Sequence, residues 1–232
     1  MQNNIAIITA RGGSKRIPKK NIKDFLGNPI ISYSISVAIE SKLFNEVIVS
    51  TDNEEIATVA KQFGATVPFI RSAKNADDFA TTADVLLEVI NDLENSGRHY
   101  SNACCIYPTS PLLQSDSLQT GFNLLIKENY NSVFPIVKFG YPIQRCLQVD
   151  DANKVSMKWE ENLNKRSQDL QPLYHDAGMF YWINIEALKK EQKLFTSNSG
   201  AIILDETEVQ DIDNLTDWKM AELKYKMMNE NL

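Results

Sequence analysis

The chain has little of what marks several protein classes. Nine glycines and eight prolines in 232 residues are too few for a collagen-like or low-complexity chain. Its three cysteines are an odd set, and Cys104 and Cys105 are neighbours, a poor geometry for a mutual bridge. A reducing cytoplasm is the expected setting. Long apolar runs are missing too: the early stretch Ile5 to Ala10 falls far short of the roughly 20 residues that span a bilayer. That stretch also lacks the preceding charged segment of a secretory signal. A formal net charge of -6 argues against nucleic acid and anionic membranes as partners. Acidic residues are absent from residues 1–23, which carry Arg11, Lys15, Arg16, Lys19, Lys20 and Lys23. A local cationic segment on an acidic chain points to a small anionic ligand. A targeting peptide, a nuclear-localisation cluster or a solvated basic loop are the plainer readings.

What is present suits an ordinary folded core. With 43% apolar and 23% charged residues, the chain has the composition of a folded protein of one or two domains. Ile5-Ala6-Ile7-Ile8 reads as a parallel strand buried on both faces. The basic loop 11–21 follows, and Asn28 and Pro29 are expected to open a helix carrying Ile31, Ile35, Ala38 and Ile39. Residues 46–51 read as a strand, with Asp52 as the cap of a helix that Gly64 stops. Residues 66–70 read as a third strand, and 71–81 as a polar loop before a helix over 83–95. A strand at 103–107 breaks into Pro108-Thr109-Ser110-Pro111. Ser115 is placed as the cap of a helix to Lys127, and 132–138 form another strand. Strand-helix alternation of this kind predicts a Rossmann-like α/β fold whose mixed, mostly parallel sheet lies between helices. The rhythm fails over 139–175, a functional lid or an arm. It returns with strands near 179–184 and 201–204 and a last helix, capped by Thr216, that presents Trp218, Met220, Leu223 and Met227. One domain over 1–232 with an excursion at about 140–175 fits best.

The loop Ala10-Arg11-Gly12-Gly13-Ser14-Lys15-Arg16-Ile17-Pro18-Lys19-Lys20-Asn21 is neither a Walker loop nor a dinucleotide fingerprint, since its glycines are adjacent. Its physics is similar: two glycines let backbone N–H groups approach phosphate oxygens, and Arg11, Lys15 and Lys20 offset their charge. In Asp211-Ile212-Asp213, an extended backbone sends both carboxylates to one side. They form either a magnesium site, completed by phosphates and water, or a solvated pair before a helix. The residues alone leave both open. Phe180 and Trp182 read equally as strand core and as ligand contacts, and neither His99 nor His175 is assigned a proton-transfer role.

The loop motif after a first strand resembles the signature of the cytidylyltransferases that activate nonulosonic (sialic-like) acids as CMP-sugars. The resemblance spans essentially the whole chain through Ser50-Thr51-Asp52, Arg71, Pro108 to Leu112, Arg166, Gly178 and Val209 to Asp213. Tyr141 to Arg145, Arg166 to Leu170 and Tyr174 to Trp182 resemble the pseudaminic acid branch. The resemblance implies CMP transfer from CTP, with Asp211 and Asp213 holding Mg²⁺, and Arg11, Lys15, Lys20 and Asp211 as the catalytic set. It implies nucleotide contacts from Ala10, Arg11, Gly12, Gly13, Ser14, Lys20, Asn21, Arg71, Thr81 and Tyr107. Contacts to the keto acid fall to Gln144, Arg145, Arg166, Gln168, His175, Asp176, Phe180 and Tyr181, and the arm implies a homodimer. Sialic acid members carry Gln where this chain has Tyr107, and Asn-Gly where it has Ala177-Gly178. These departures point away from N-acetylneuraminic acid. N-acetylneuraminic and legionaminic acids, a hexose-1-phosphate nucleotidyltransferase and a silent nucleotide-binding regulator stand as rivals.

Overall fold

Alternation along one buried strand sets the layers of the molecule. In β1 (Asn4–Thr9), Ile5 and Ile7 enter one core while Ala6 and Ile8 enter the other, as a period of two requires. The computed structural model describes residues 3–229. After β1 and the basic loop comes a two-residue hairpin, β2 (Asp24–Phe25) and β3 (Asn28–Pro29), which runs into α1 (Ile30–Glu40). Asn28 is therefore hairpin rather than helix cap, and Pro29 takes the cap position without a side-chain bond.

Next come β4 (Glu46–Ser50), α2 (Glu54–Gln62), α3 (Thr82–Asn95), β5 (Asn102–Ile106), α4 (Ser115–Lys127) and β6 (Ser132–Lys138). The chain ends through β7 (Leu147–Val149), β8 (Val155–Met157), β9 (Tyr174–Asp176), β10 (Phe180–Asn184), α5 (Ile185–Glu191), β11 (Ser199–Leu204) and α6 (Leu215–Asn229). The main sheet runs β11-β6-β10-β5-β1-β4, with β9 also paired to β6. Pairs β1–β4, β1–β5 and β6–β11 are parallel, and β10 is antiparallel to both its neighbours. The expected mixed α/β sheet is present. One of its cores takes residues of α1, α2 and α4, the other those of α3 and α5.

Several local expectations are corrected. Asn53, not Asp52, caps α2, accepting a hydrogen bond from the Ile56 amide at 3.0 Å. Residues 66–70 make only one bridge, Thr66 to Ile48, since Pro68 has no amide to continue a ladder. Gln114 precedes α4 without a side-chain cap, and Ser115 is already helical. Asn214, not Thr216, caps α6, accepting from the Thr216 and Asp217 amides at 2.8 and 3.1 Å. Of the apolar stripe predicted on α6, Trp218 is buried but Met220, Leu223 and Met227 are exposed. The helix buries Trp218 and Ala221 in a small third cluster and meets the first core only through the partly buried Tyr225 and Met228.

That third cluster positions the site. Ile17 from the basic loop, Phe25, Ile30, Ile212, Trp218 and Ala221 are buried together. Phe25 meets Trp218 edge-on, their ring centroids 5.6 Å apart. Full burial of an Ile or Phe side chain is worth about 1.5–3 kcal/mol, so the cluster pins the amino-terminal loop to the segment just before α6.

Candidate active site

Ile212 is fully buried in this cluster, and its neighbours Asp211 and Asp213 line the cavity on the other side. The cavity, of about 470 Å³, is lined by Arg11, Ser14, Lys15, Arg16, Lys20, Asn21, Arg71, Tyr107, Asp211 and Asp213, among others. It opens where β1, β4 and β5 end at their carboxyl ends, the usual ligand position in such sheets. The Lys20 ammonium donates to the Ile212 carbonyl at 2.8 Å. Arg16 pairs with Asp213 at 2.7 Å. Cationic loop and twin carboxylates, 190 or so residues apart in sequence, share one chamber.

Electrostatics follows from that crowding. Burial holds the Lys20 ammonium below the ordinary lysine range, against the pull of Asp213 and Asp211. Burial, then the Asp213 charge, pushes the Asp211 carboxyl upward. A carboxylate strained in this way is relieved by a cation. Asp217 fixes the frame: its carboxylate accepts from the Asp213 and Asn214 amides at 2.8 and 2.9 Å. Among the described residues no group of three or more His, Cys, Asp and Glu could hold a metal. Two carboxylates with the rest from phosphate and water is a donor set that fits Mg²⁺.

The glycines act differently from the simple phosphate-loop expectation. The Gly12 amide donates to Asp52 at 2.7 Å, so it is committed to protein. A Cβ on Gly12 would come within 3.0 Å of Asn53 Cβ. Gly12 thus lets the loop close on the start of α2. Ala10 is buried, its amide bonded to the Ser50 carbonyl. Neither these two nor Gly13 lines the cavity. Asn21 is buried and its amide donates to the Arg11 carbonyl at 2.9 Å, bracing the loop. Arg71 is also buried, bonded through Nε to Ser50 Oγ at 3.0 Å and through Nη2 to the Ser50 carbonyl. Thr81 is spent as the cap of α3, in a capping box with Asp84. Thr82, which the sequence reading missed, faces the cavity and meets the Tyr107 hydroxyl at 3.3 Å.

On the sugar side the expected residues divide. None of Gln144, Arg145, Arg166, Gln168, His175, Asp176, Phe180 and Tyr181 lines the cavity. Phe180 and Trp182 are fully buried core residues, the outcome strand alternation dictates. Tyr181 is buried on the opposite face; its hydroxyl donates to Asp176, and its ring lies 5.5 Å from that of Tyr107. Asp176 also accepts from the Gly178 amide at 2.9 Å. A Cβ on Gly178 would lie 3.9 Å from Asp211 Cγ, so the turn before β10 backs the carboxylate pair. His175 is exposed, its Nδ1 at 2.9 Å from the Asp176 carbonyl. Arg166 pairs with Asp169 on its own exposed turn at 2.7 Å. Gln168 is exposed.

A cytidylyltransferase family model matches residues 5–229, and the chain belongs to the cytidylyltransferase family. It is 42% identical over 228 residues to a pseudaminic acid cytidylyltransferase of Campylobacter jejuni, covering 98% of both chains. It is 34% identical over 219 residues to N-acylneuraminate cytidylyltransferase A of Danio rerio, covering 94% of this chain and 49% of that one. A solved structure of a CMP:2-keto-3-deoxy-manno-octonic acid synthetase complexed with CTP shares the fold. Its TM-score is 0.72 at 16% identity, with all of both chains covered.

Proposed function

We propose that this protein transfers CMP from CTP to the anomeric hydroxyl of a nonulosonic acid, pseudaminic acid before the others, and releases pyrophosphate. The observation that carries the reading is the meeting of Lys20 with Ile212, which sets a phosphate-binding loop against two carboxylates in one cavity. Phosphoryl-type transfer needs positioning and charge stabilisation more than covalent help from the protein. Arg11, Lys15 and Lys20 neutralise the phosphates and the departing pyrophosphate. Arg71 and Asn21 orient the cytidine, Ser14 and Tyr107 line its chamber, and the hydroxyl attacks the α-phosphorus in line. Asp211 and Asp213 would hold Mg²⁺, which would supply Lewis-acid polarisation at the phosphate and ease loss of the hydroxyl proton. The match to the pseudaminic acid enzyme over 98% of both chains supports the choice of acceptor.

The homodimer belongs to the same reading. The β7–β8 ribbon pairs Leu147 with Met157 and Val149 with Val155, and Leu147, Val149 and Val155 are exposed on it. A lone two-stranded ribbon is marginally stable in water, and an apolar face on it calls for a partner. The second copy of this chain is that partner, and Gln144, Arg145, Arg166 and Gln168 then serve the neighbouring cavity. Three free cysteines, two of them buried side by side, support a reducing cytoplasm, and no helix among the described residues is long and apolar enough to cross a membrane.

Pyrophosphate release with CTP, Mg²⁺ and a panel of purified nonulosonic acids tests the function. Release should be fastest with pseudaminic acid and should vanish with UTP. No release with any acceptor would overturn the reading in favour of a silent nucleotide binder.

A further inference from the structure

The loop between Arg71 and α3 sends an acid into the cationic cradle. Asp78 Oδ1 lies 2.7 Å from Arg11 Nη1, and its other oxygen accepts from Lys15. Arg11 Nη1 also donates to the Asp77 carbonyl at 3.1 Å. The Asp77 side chain accepts from the Phe79 and Ala80 amides, both at 2.8 Å, and so folds the loop tip that presents Asp78. Asp77 and Asp78 line the same cavity as Asp211 and Asp213. Hydrogen bonds from Lys15 and Arg11 hold the Asp78 carboxyl below the ordinary aspartate range. One carboxylate therefore occupies two of the cations to which the proposed function gives the phosphates.

While Asp78 accepts from Arg11 Nη1 and Lys15 Nζ, a phosphate finds only the remaining N–H donors of these cations, beside a like charge. We propose that Asp78 is a specificity-determining residue: a tethered internal anion that competes with phosphate ligands for Arg11 and Lys15 and so sets a threshold that polyphosphates pass and single phosphates do not. The inference rests on the cradle reading above. Its physics is competition at fixed cost. A tethered group acts at a high effective concentration, so weak anions of one phosphate do not dislodge it. Pyrophosphate or the β- and γ-phosphates of CTP bring more charge and several oxygens to the same two cations, and they win. The opposition is small enough to overcome, because exposed ion pairs are each worth only a few-fold in an equilibrium constant. After transfer, the returning carboxylate competes with pyrophosphate for its cations and helps it leave.

Titration calorimetry on the full-length protein with pyrophosphate, CTP and cytidine, without metal, tests the assignment. Asp78→Asn keeps the shape of the side chain and removes its charge. It should bind pyrophosphate and CTP about three- to tenfold more tightly than the parent, with cytidine unchanged. Inorganic phosphate titrated alone should bind the variant detectably where the parent shows no binding. Asp78→Ala should repeat the result and covers the case in which the amide disturbs the loop. Unchanged or weaker pyrophosphate binding in both variants would overturn the proposal, as would equal tightening of cytidine. Arg11→Ala separates the two layers of inference. If it weakens pyrophosphate binding while the Asp78 variants do nothing, the cradle stands and the gate falls; if it leaves pyrophosphate binding untouched, the cradle itself is wrong.

Discussion

The nucleotide end and the arm are built to opposite plans. At the nucleotide end the contacts join distant parts of the chain: Lys20 with Ile212, Arg16 with Asp213, Gly12 with Asp52, Arg71 with Ser50. In the arm the contacts join residues of the excursion to one another, such as Arg166 with Asp169 and Gln144 with the Gln171 carbonyl. Gln144 Oε1 and Arg145 Nε are buried there with no hydrogen-bond partner, an uncommon state for polar atoms. The difference is that distant segments of one chain build the cavity, whereas none of the residues expected to hold the sugar lines it.

The deepest break should come at the carboxylates. Asp211→Asn should lower turnover by ~10²–10³ or more, the scale for losing one preorganised charge contact, while calorimetry still detects CTP. The same variant sharpens the energetic side. A folded-state pKa raised above the unfolded value stabilises the fold in acid, and that contribution is lost as pH rises through it. Ionised Asp211 therefore burdens the fold at neutral pH, and the amide variant should melt no lower than the parent, and slightly higher, by calorimetry. Parent-like turnover would end the metal assignment.

Charging the ribbon comes next. Leu147→Asp combined with Val149→Asp should convert a dimer to a monomer in sedimentation. It should also raise KM for the sugar by about tenfold, the scale of one or two lost polar contacts, with KM for CTP nearly unchanged. An unaltered mass would remove the arm from the interface. Acid should then separate the halves more gently. Because burial and Asp213 raise the Asp211 carboxyl, Mg²⁺-dependent turnover should begin to fall at a higher pH than for an ordinary aspartate, while cytidine affinity stays flat over that range. A pH–rate profile in which excess Mg²⁺ shifts the limb to lower pH is the expected signature. The smallest effect belongs to Thr81→Ala, which should cost about 1 kcal/mol of stability through its lost helix cap and leave kcat within twofold. A large loss of kcat with unchanged melting would return Thr81 to the nucleotide site.

Legibility in the sequence followed the same division. The apolar run of β1 and the charge of the basic loop were readable as local patterns of burial and charge, whereas the DID segment stayed open between a magnesium site and a solvated pair until the family resemblance weighed in. The caps misread at Asp52 and Thr216 show the limit. Both residue types suit a cap, and the neighbouring Asn53 and Asn214 suit it equally, so only the assembled fold frees Asp52 to hold the Gly12 amide. Phe180 was ambiguous for the same reason: alternation says that Phe180 and Tyr181 face opposite ways, but not which face holds ligand. Asp78 gave no signal at all, since an aspartate in a polar loop is ordinarily solvated.

By itself the sequence determined the main strand-helix alternation up to Lys138, the two charged segments and their family, because these rest on periodicity, composition and motif. Only the tertiary structure decided that Ile17 and Ile212 share one small core and so bring cations and carboxylates face to face. That pairing depends on burial across nearly the whole length of the chain, a long-range free energy that no local window of residues contains.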